Sequence, residues 1–151
     1  MMMNGLPSSV LFACSENSVR SPMAEALAKR LYGQASYIDS VGVRATDVDS
    51  FVAAALDEVG IDVHRHHAKT FDDVDPSSFD LIVTLSPEAH HQALELTRTM
   101  AVEVEYWPTF DATLMIGHAN REQILDAYRA VRDQLFQRIK RRFALEGGPT
   151  V

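Results

Sequence analysis

Apolar positions fall into short continuous runs and stripes at helical spacing. Val10 to Ala13 (VLFA) is apolar throughout and stops at Cys14, the pattern of a buried strand. A loop rich in Ser and Asn follows. The segment SPMAEALAKRLYG then places Met23, Leu27 and Leu31 on one helical face, with Ser21 predicted as N-cap, Pro22 at the first helical position, Glu25 near the third and Gly33 as the stop. A second strand is predicted over roughly Ser36 to Val41. A helix follows over Ser50 to Val59, with Val52, Leu56 and Val59 as its stripe and Gly60 as C-cap. Leu81 to Leu85 (LIVTL) is apolar except at Thr84, as in a central strand of a parallel sheet. Pro87 to Thr99 reads as a helix, and the alternating AVEVEY (Ala101 to Tyr106) as an edge strand. WPTFDATLMIGHAN is too rich in turn formers to continue that strand. The last helix is predicted over Arg121 to Phe143, with Ile124, Tyr128, Val131, Leu135, Ile139 and Phe143 as its stripe and GGPT as its end.

Strands and helices alternate without a repeat or long linker. The expectation is one domain over 1–151, a three-layer α/β/α sandwich on a four-stranded parallel sheet, with 1–8 and 146–151 as flexible ends. Ligands bind such sheets in loops at the carboxyl ends of strands. Cys14 and Asp111 both lie just past such an end.

Composition narrows the function classes. With 46% hydrophobic and 23% charged residues, the chain has the usage of a compact globular domain. A net charge of -7 and a pI near 5.3 argue against nucleic-acid or anionic-membrane partners, so an anionic ligand must meet a local positive site. The single cysteine cannot form an intramolecular disulfide. The start MMMNGLPSS lacks a basic n-region and an apolar h-region, and no apolar run approaches the ~20 residues that span a bilayer. A cytoplasmic protein is expected. No metal or cofactor is expected: His90 and His91 diverge on a helix and read as a solvated face, and no cluster has ligand spacing.

Cys14-Ser-Glu-Asn-Ser-Val-Arg20-Ser21-Pro22 is a C-x5-R-S loop running from a strand end to a helix N-terminus. Successive N–H groups of such a loop can form a nest for an oxyanion, the helix dipole adds positive charge, and Arg20 can grip two oxygens. The same surroundings favour thiolate over thiol, making Cys14 a candidate nucleophile. Ser15, Glu16, Asn17, Ser18, Val19, Arg20 and Ser21 are the candidate phosphate-binding residues.

VLFAC...N..RSPMAEAL resembles the opening strand, phosphate loop and first helix of the low-molecular-weight protein tyrosine phosphatase family, which includes related arsenate reductases; the resemblance spans nearly the whole chain. It implies Cys14 as nucleophile, Arg20 as phosphate ligand, and Asn17 and Ser21 as loop supports. DSVGV resembles the family's second strand and implies that Ser40 joins the network behind Asn17. HHAK resembles the segment that presents a buried His to that network; His66 is the matching residue, and His67 or His64 would serve with a shift in register. Trp107-Pro-Thr-Phe-Asp111-Ala matches the loop carrying the family's general acid, so Asp111 is implied to protonate the leaving oxygen and then to orient the hydrolytic water.

Departures from the family pattern shape the functional expectation. Glu16 stands where Gly is common, with tuning and neutral roles both open. Val19 stands where many phosphatases have a second cysteine. Ala112 follows the acid instead of Pro, and the aromatic wall reduces to Phe51, Phe110 and Trp107. Ser86 replaces an acidic residue, and Trp107 looks closer to the arsenate reductase-like branch. The resemblance implies a metal-free phosphomonoesterase acting through phosphocysteine, with a phosphorylated protein or small aryl phosphate as substrate. The alternatives are an arsenate reductase that uses an external thiol, or a catalytically weak oxyanion-binding signalling module. Oligomeric state stays open.

Overall fold

The computed structural model describes residues 6–144. Four strands, β1 (Ser9–Cys14), β2 (Tyr37–Gly42), β3 (Leu81–Thr84) and β4 (Glu103–Tyr106), form one parallel sheet in the order β2-β1-β3-β4. β1 and β3 are buried at every position, as their largely apolar runs predict, whereas β4 is an edge. Helices α1 (Arg20–Tyr32), α2 (Ser50–Asp57) and α4 (Arg121–Arg142) cover one face, and α3 (Pro87–Leu96) covers the other. This is the expected three-layer α/β/α sandwich.

The larger core lies between the sheet and α1, α2 and α4. All six predicted stripe residues of α4 are buried there against Phe12, Leu27, Leu56 and Leu81. Each fully buried Leu or Ile of this layer contributes about 2 kcal/mol. The smaller core packs Leu11, Ala13, Val41 and Ile82 against Phe71, Phe79, Ala89 and Ala93.

Element ends differ from the sequence expectation for local reasons. α1 begins at Arg20 with Val19 at its cap position, so Ser21 is not the N-cap; its hydroxyl is taken by the site described below. α2 ends at Asp57, and Val59 leaves the stripe to stand 41% exposed, because Gly60 takes φ +79° and turns the chain. Its N-cap is Asp49, which accepts from Val52 N. α3 stops at Leu96, where the Thr97 hydroxyl donates to Ala93 O. His90 is no solvated residue: its ring stacks on Tyr106 at 4.7 Å and bonds Thr84 Oγ1 at 2.9 Å.

The expected flexible ends lie largely outside the described residues. Where they overlap, Leu6 packs against the core and Ser8 bonds Asp80 through both its N–H and its hydroxyl, so 6–8 are held.

Candidate active site

Cys14 closes β1 at the carboxyl edge of the sheet, and the chain then curls through Ser15–Val19 into α1. The segment after β2 satisfies the curl's carbonyls: Val43 N donates to Cys14 O at 3.0 Å, Arg44 N to Ser15 O at 2.8 Å and Thr46 N to Glu16 O at 2.9 Å. The N–H groups of Ser15 to Val19 donate to no backbone acceptor among the described residues. A loop with its carbonyls tied outward and its N–H groups uncommitted is a ready anion cradle.

Ser21 gives the sulfur its partners, Oγ at 2.9 Å and N at 3.3 Å from Cys14 Sγ. The hydroxyl also accepts from Asn17 Nδ2 and lies 3.1 Å from Val41 O. Its one proton can therefore serve the carbonyl while Cys14 is a thiol, and turn to the sulfur when Cys14 is a thiolate.

Asn17 holds the curl together. It is fully buried at φ +55°, a conformation that Asn tolerates better than most residues. Its Nδ2 donates to Ser21 Oγ at 2.9 Å and Ser40 Oγ at 3.0 Å, while Oδ1 accepts from Lys69 N at 3.0 Å. Because that backbone donor fixes which amide atom is oxygen, His66 Nε2, 3.1 Å away, must be a donor too. Ser40 Oγ donates to Glu25 Oε1, and that oxygen lies 3.6 Å from His66 Nδ1, an ion pair when the imidazole is protonated. His66 is thus the histidine at Asn17. Burial pushes its pKa below the ordinary imidazole value, against the opposing pull of Glu25.

On the opposite wall, Asp111 follows β4 in a turn. Its Oδ1 accepts from Thr113 N at 3.0 Å and from the Thr113 hydroxyl, leaving Oδ2 3.8 Å from Arg20 Nη2. Arg20 is 9% exposed and donates Nη1 to Thr109 O at 3.1 Å, so it ties the acid-bearing loop to the curl. Cys14, Ser15, Glu16, Ser18, Val19, Arg20, Arg44, Asp111 and Thr113 line one cavity of about 200 Å³. A roomier cavity of about 530 Å³ lies behind the loop on the Glu25, His66 and Lys69 side. That cavity is lined by no cysteine, whereas Cys14, Arg20 and Asp111 meet in the smaller one.

The expected aromatic wall is absent from the cavity lining. Trp107 is 2% exposed, packed edge-on against Phe12 and beneath Arg138, with Nε1 donating to Glu105. Phe51 packs on Tyr128, and neither it nor the half-exposed Phe110 lines the cavity. Glu16 does not point freely to solvent; it receives Arg44 Nε at 2.7 Å and the Thr46 hydroxyl at 2.8 Å. Ser86 caps α3 and accepts from Ser15 Oγ at 3.0 Å.

Sequence reasoning missed several contributors. Gly42 lies inside the DSVGV motif, but the need for glycine comes from the Asn17 and Glu16 backbone passing against it. Thr113 had a local signal, since an Asp two residues before a Thr favours this turn. Asp49, whose Oδ2 accepts from Tyr128 OH at 2.6 Å, Arg44, Thr46 and Lys69 act through partners distant in sequence.

The family profile described as low molecular weight phosphotyrosine protein phosphatase matches residues 9–144. An arsenate reductase of Brevibacillus brevis is 33% identical over 132 residues, covering 87% of this chain and 91% of the relative. An arsenate reductase of Bacillus subtilis is 30% identical over 87% of this chain and 91% of its own length. Among solved structures, a tyrosine phosphatase of Erwinia amylovora superposes with a TM-score of 0.76 at 19% identity, covering 97% of this chain and 98% of that one. An arsenate reductase in its phosphate-binding state superposes with a TM-score of 0.74 at 27% identity, covering 90% and 96%.

Proposed function

Since this chain belongs to the low-molecular-weight phosphotyrosine protein phosphatase family, we propose that it is a phosphomonoesterase acting through a phosphocysteine on Cys14. The observation that carries the reading is the shared cavity: nucleophile, guanidinium and carboxyl group line one space, with Arg20 Nη2 3.8 Å from Asp111 Oδ2.

The phosphoryl oxygens sit in the N–H groups of the curl with Arg20 across two of them, which leaves the phosphorus facing Sγ. Sγ forms a bond to phosphorus as the bond to the leaving oxygen breaks. Asp111 Oδ2, the oxygen not held by Thr113, delivers a proton to that leaving oxygen. As a carboxylate it then takes a proton from the water that attacks phosphocysteine. The sulfur leaves as thiolate, received by the Ser21 hydroxyl and N–H. Arg20 and the loop amides supply the charge stabilisation, so the scheme needs no metal. The substrate class is a phosphorylated protein or a small aryl phosphate.

A second reading, arsenate reduction, is favoured by the relatives named arsenate reductases. With one cysteine, an external thiol must act. It would attack Cys14 Sγ of the arsenate adduct, release arsenite and leave a mixed disulfide, which a second external thiol would reduce. Acid quench during turnover of an aryl phosphate, followed by mass spectrometry of the Cys14 peptide, separates the readings. One added phosphoryl group on Cys14 is expected. Arsenate-dependent glutathione consumption with no phosphoenzyme would overturn the phosphatase reading, and phosphate binding without either activity would leave an oxyanion-binding module.

A further inference from the structure

The mouth of the small cavity carries charges that the reaction above does not use. Arg44 lies on its wall and is shared by two carboxylates. Its Nε meets Glu16 Oε2 at 2.7 Å, and Nη1 and Nη2 meet Glu88 Oε2 and Oε1 at 2.6 and 2.9 Å. Thr46 Oγ1 and Arg44 hold Glu16 below the usual carboxylate range, and Arg44 does the same for Glu88. Both are charged at neutral pH. One cation against two anions leaves this corner of the rim with a net negative charge. The three side chains are 53%, 42% and 46% exposed, in the order Arg44, Glu16, Glu88; Glu16 and Arg44 line the cavity, and Glu88 is joined to it through Arg44. Arg20, the other cation on the wall, is buried and is the group that the phosphoryl oxygens claim.

The phosphoryl group therefore meets a positive floor, while whatever is attached to it meets a negative rim. No aromatic ring among the described residues lines the cavity to grip that attached part, which leaves charge as a means of discrimination. We propose that Glu16, Arg44 and Glu88 form a specificity rim selecting phosphate esters that carry a cationic group beside the phosphorylated centre; in a polypeptide this is a lysine or arginine next to the phosphorylated side chain. The inference rests on the phosphatase reading of the same site. A cationic neighbour is attracted by the carboxylates, whereas an acidic one must displace a carboxylate from Arg44 and face the other. Because the groups are exposed, the preference for a lysine-flanked over a glutamate-flanked ester is on the order of three- to tenfold at low ionic strength, and it shrinks with salt.

The test uses three matched phosphotyrosine peptides flanked by lysine, alanine or glutamate. The kcat/KM of each is measured at low and high ionic strength for the wild type and Glu88→Gln, and Kd for each is measured on Cys14→Ser. Reading ratios between peptides cancels any common change in rate. The expected order is lysine, alanine, glutamate, with the spread narrowed by Glu88→Gln and by salt, and with the same order in Kd. Equal values, or a preference for the glutamate peptide through Arg44, would overturn the proposal while leaving the phosphatase reading intact. Binding of none of the three would overturn it, and turnover of none would count separately against the phosphatase reading.

Discussion

Gly42 stands so close to the Ser15–Val19 loop that a β-carbon on it would lie 2.5 Å from Asn17 N, 2.7 Å from Glu16 C and 2.3 Å from Arg44 O. All three are backbone atoms, so no side chain can swing aside. Gly42→Ala should displace the loop, cost about 1–3 kcal/mol of stability and lower kcat/KM by at least about tenfold. Thermal unfolding and aryl phosphate hydrolysis on the same preparation check both effects; a fully active, equally stable variant would contradict this packing.

Asn17 separates backbone conformation from side-chain bonding. Asn17→Gly retains access to φ +55° but loses the bonds to Ser21, Ser40, His66 and Lys69. It should destabilise the protein by about 2–4 kcal/mol. Asn17→Ala adds the strain of a left-handed alanine, a further ~1 kcal/mol. Urea denaturation of the pair reads the difference directly.

The lowered pKa of His66 fixes the sign of a pH effect. Its folded value lies below the ordinary 6.5, burial being the largest cause, with Glu25 and Asp39 opposing and Lys69 and Lys29 reinforcing. Below pH 6.5 the unfolded chain takes up the proton first. The stabilisation is therefore complete above that pH and is lost as pH falls toward the folded pKa. Unfolding midpoints should drop between pH 7 and 5 in the wild type, and more shallowly in His66→Gln. Equal slopes would contradict this assignment.

Asp49 links α2 to α4 beside the acid loop. One oxygen caps Val52 N and the other receives Tyr128 OH at 2.6 Å, while burial and this bond both raise the Tyr128 pKa. Tyr128→Phe should cost about 1 kcal/mol, and Asp49→Ala, which loses the cap as well, about 2 kcal/mol. Chemical denaturation of the two variants and their double tests the coupling; strictly additive losses would contradict it.

The sequence was most informative where structure is local or repeats at a regular period. VLFA and LIVTL read as buried strands because largely apolar runs need cover on both faces, and all six stripe positions of the last helix are buried, although the stripe omits the buried Leu125. Other features depended on partners far along the chain. Ser21 looked like a helix cap because its neighbours fit one, yet Cys14 and Asn17 claim its hydroxyl. Trp107 looked available beside the acid loop, but Phe12 and Phe143 enclose it. Glu16 reads alone as a solvated acid, and only the fold brings Arg44 and Thr46 to it.

In the proposed reaction Cys14 and Asp111 act together on a phosphate ester bound by Arg20. Its most direct test is the pH dependence of para-nitrophenyl phosphate hydrolysis, from about pH 4.5 to 8 with EDTA present. Wild type, Cys14→Ser and Asp111→Asn are compared. Turnover should be abolished by Cys14→Ser and reduced on the order of a hundredfold by Asp111→Asn, and the wild-type profile should have an acid-dependent limb that disappears in Asp111→Asn. Hydrolysis that persists in Cys14→Ser, or a wild type that binds phosphate but hydrolyses no ester, would contradict it.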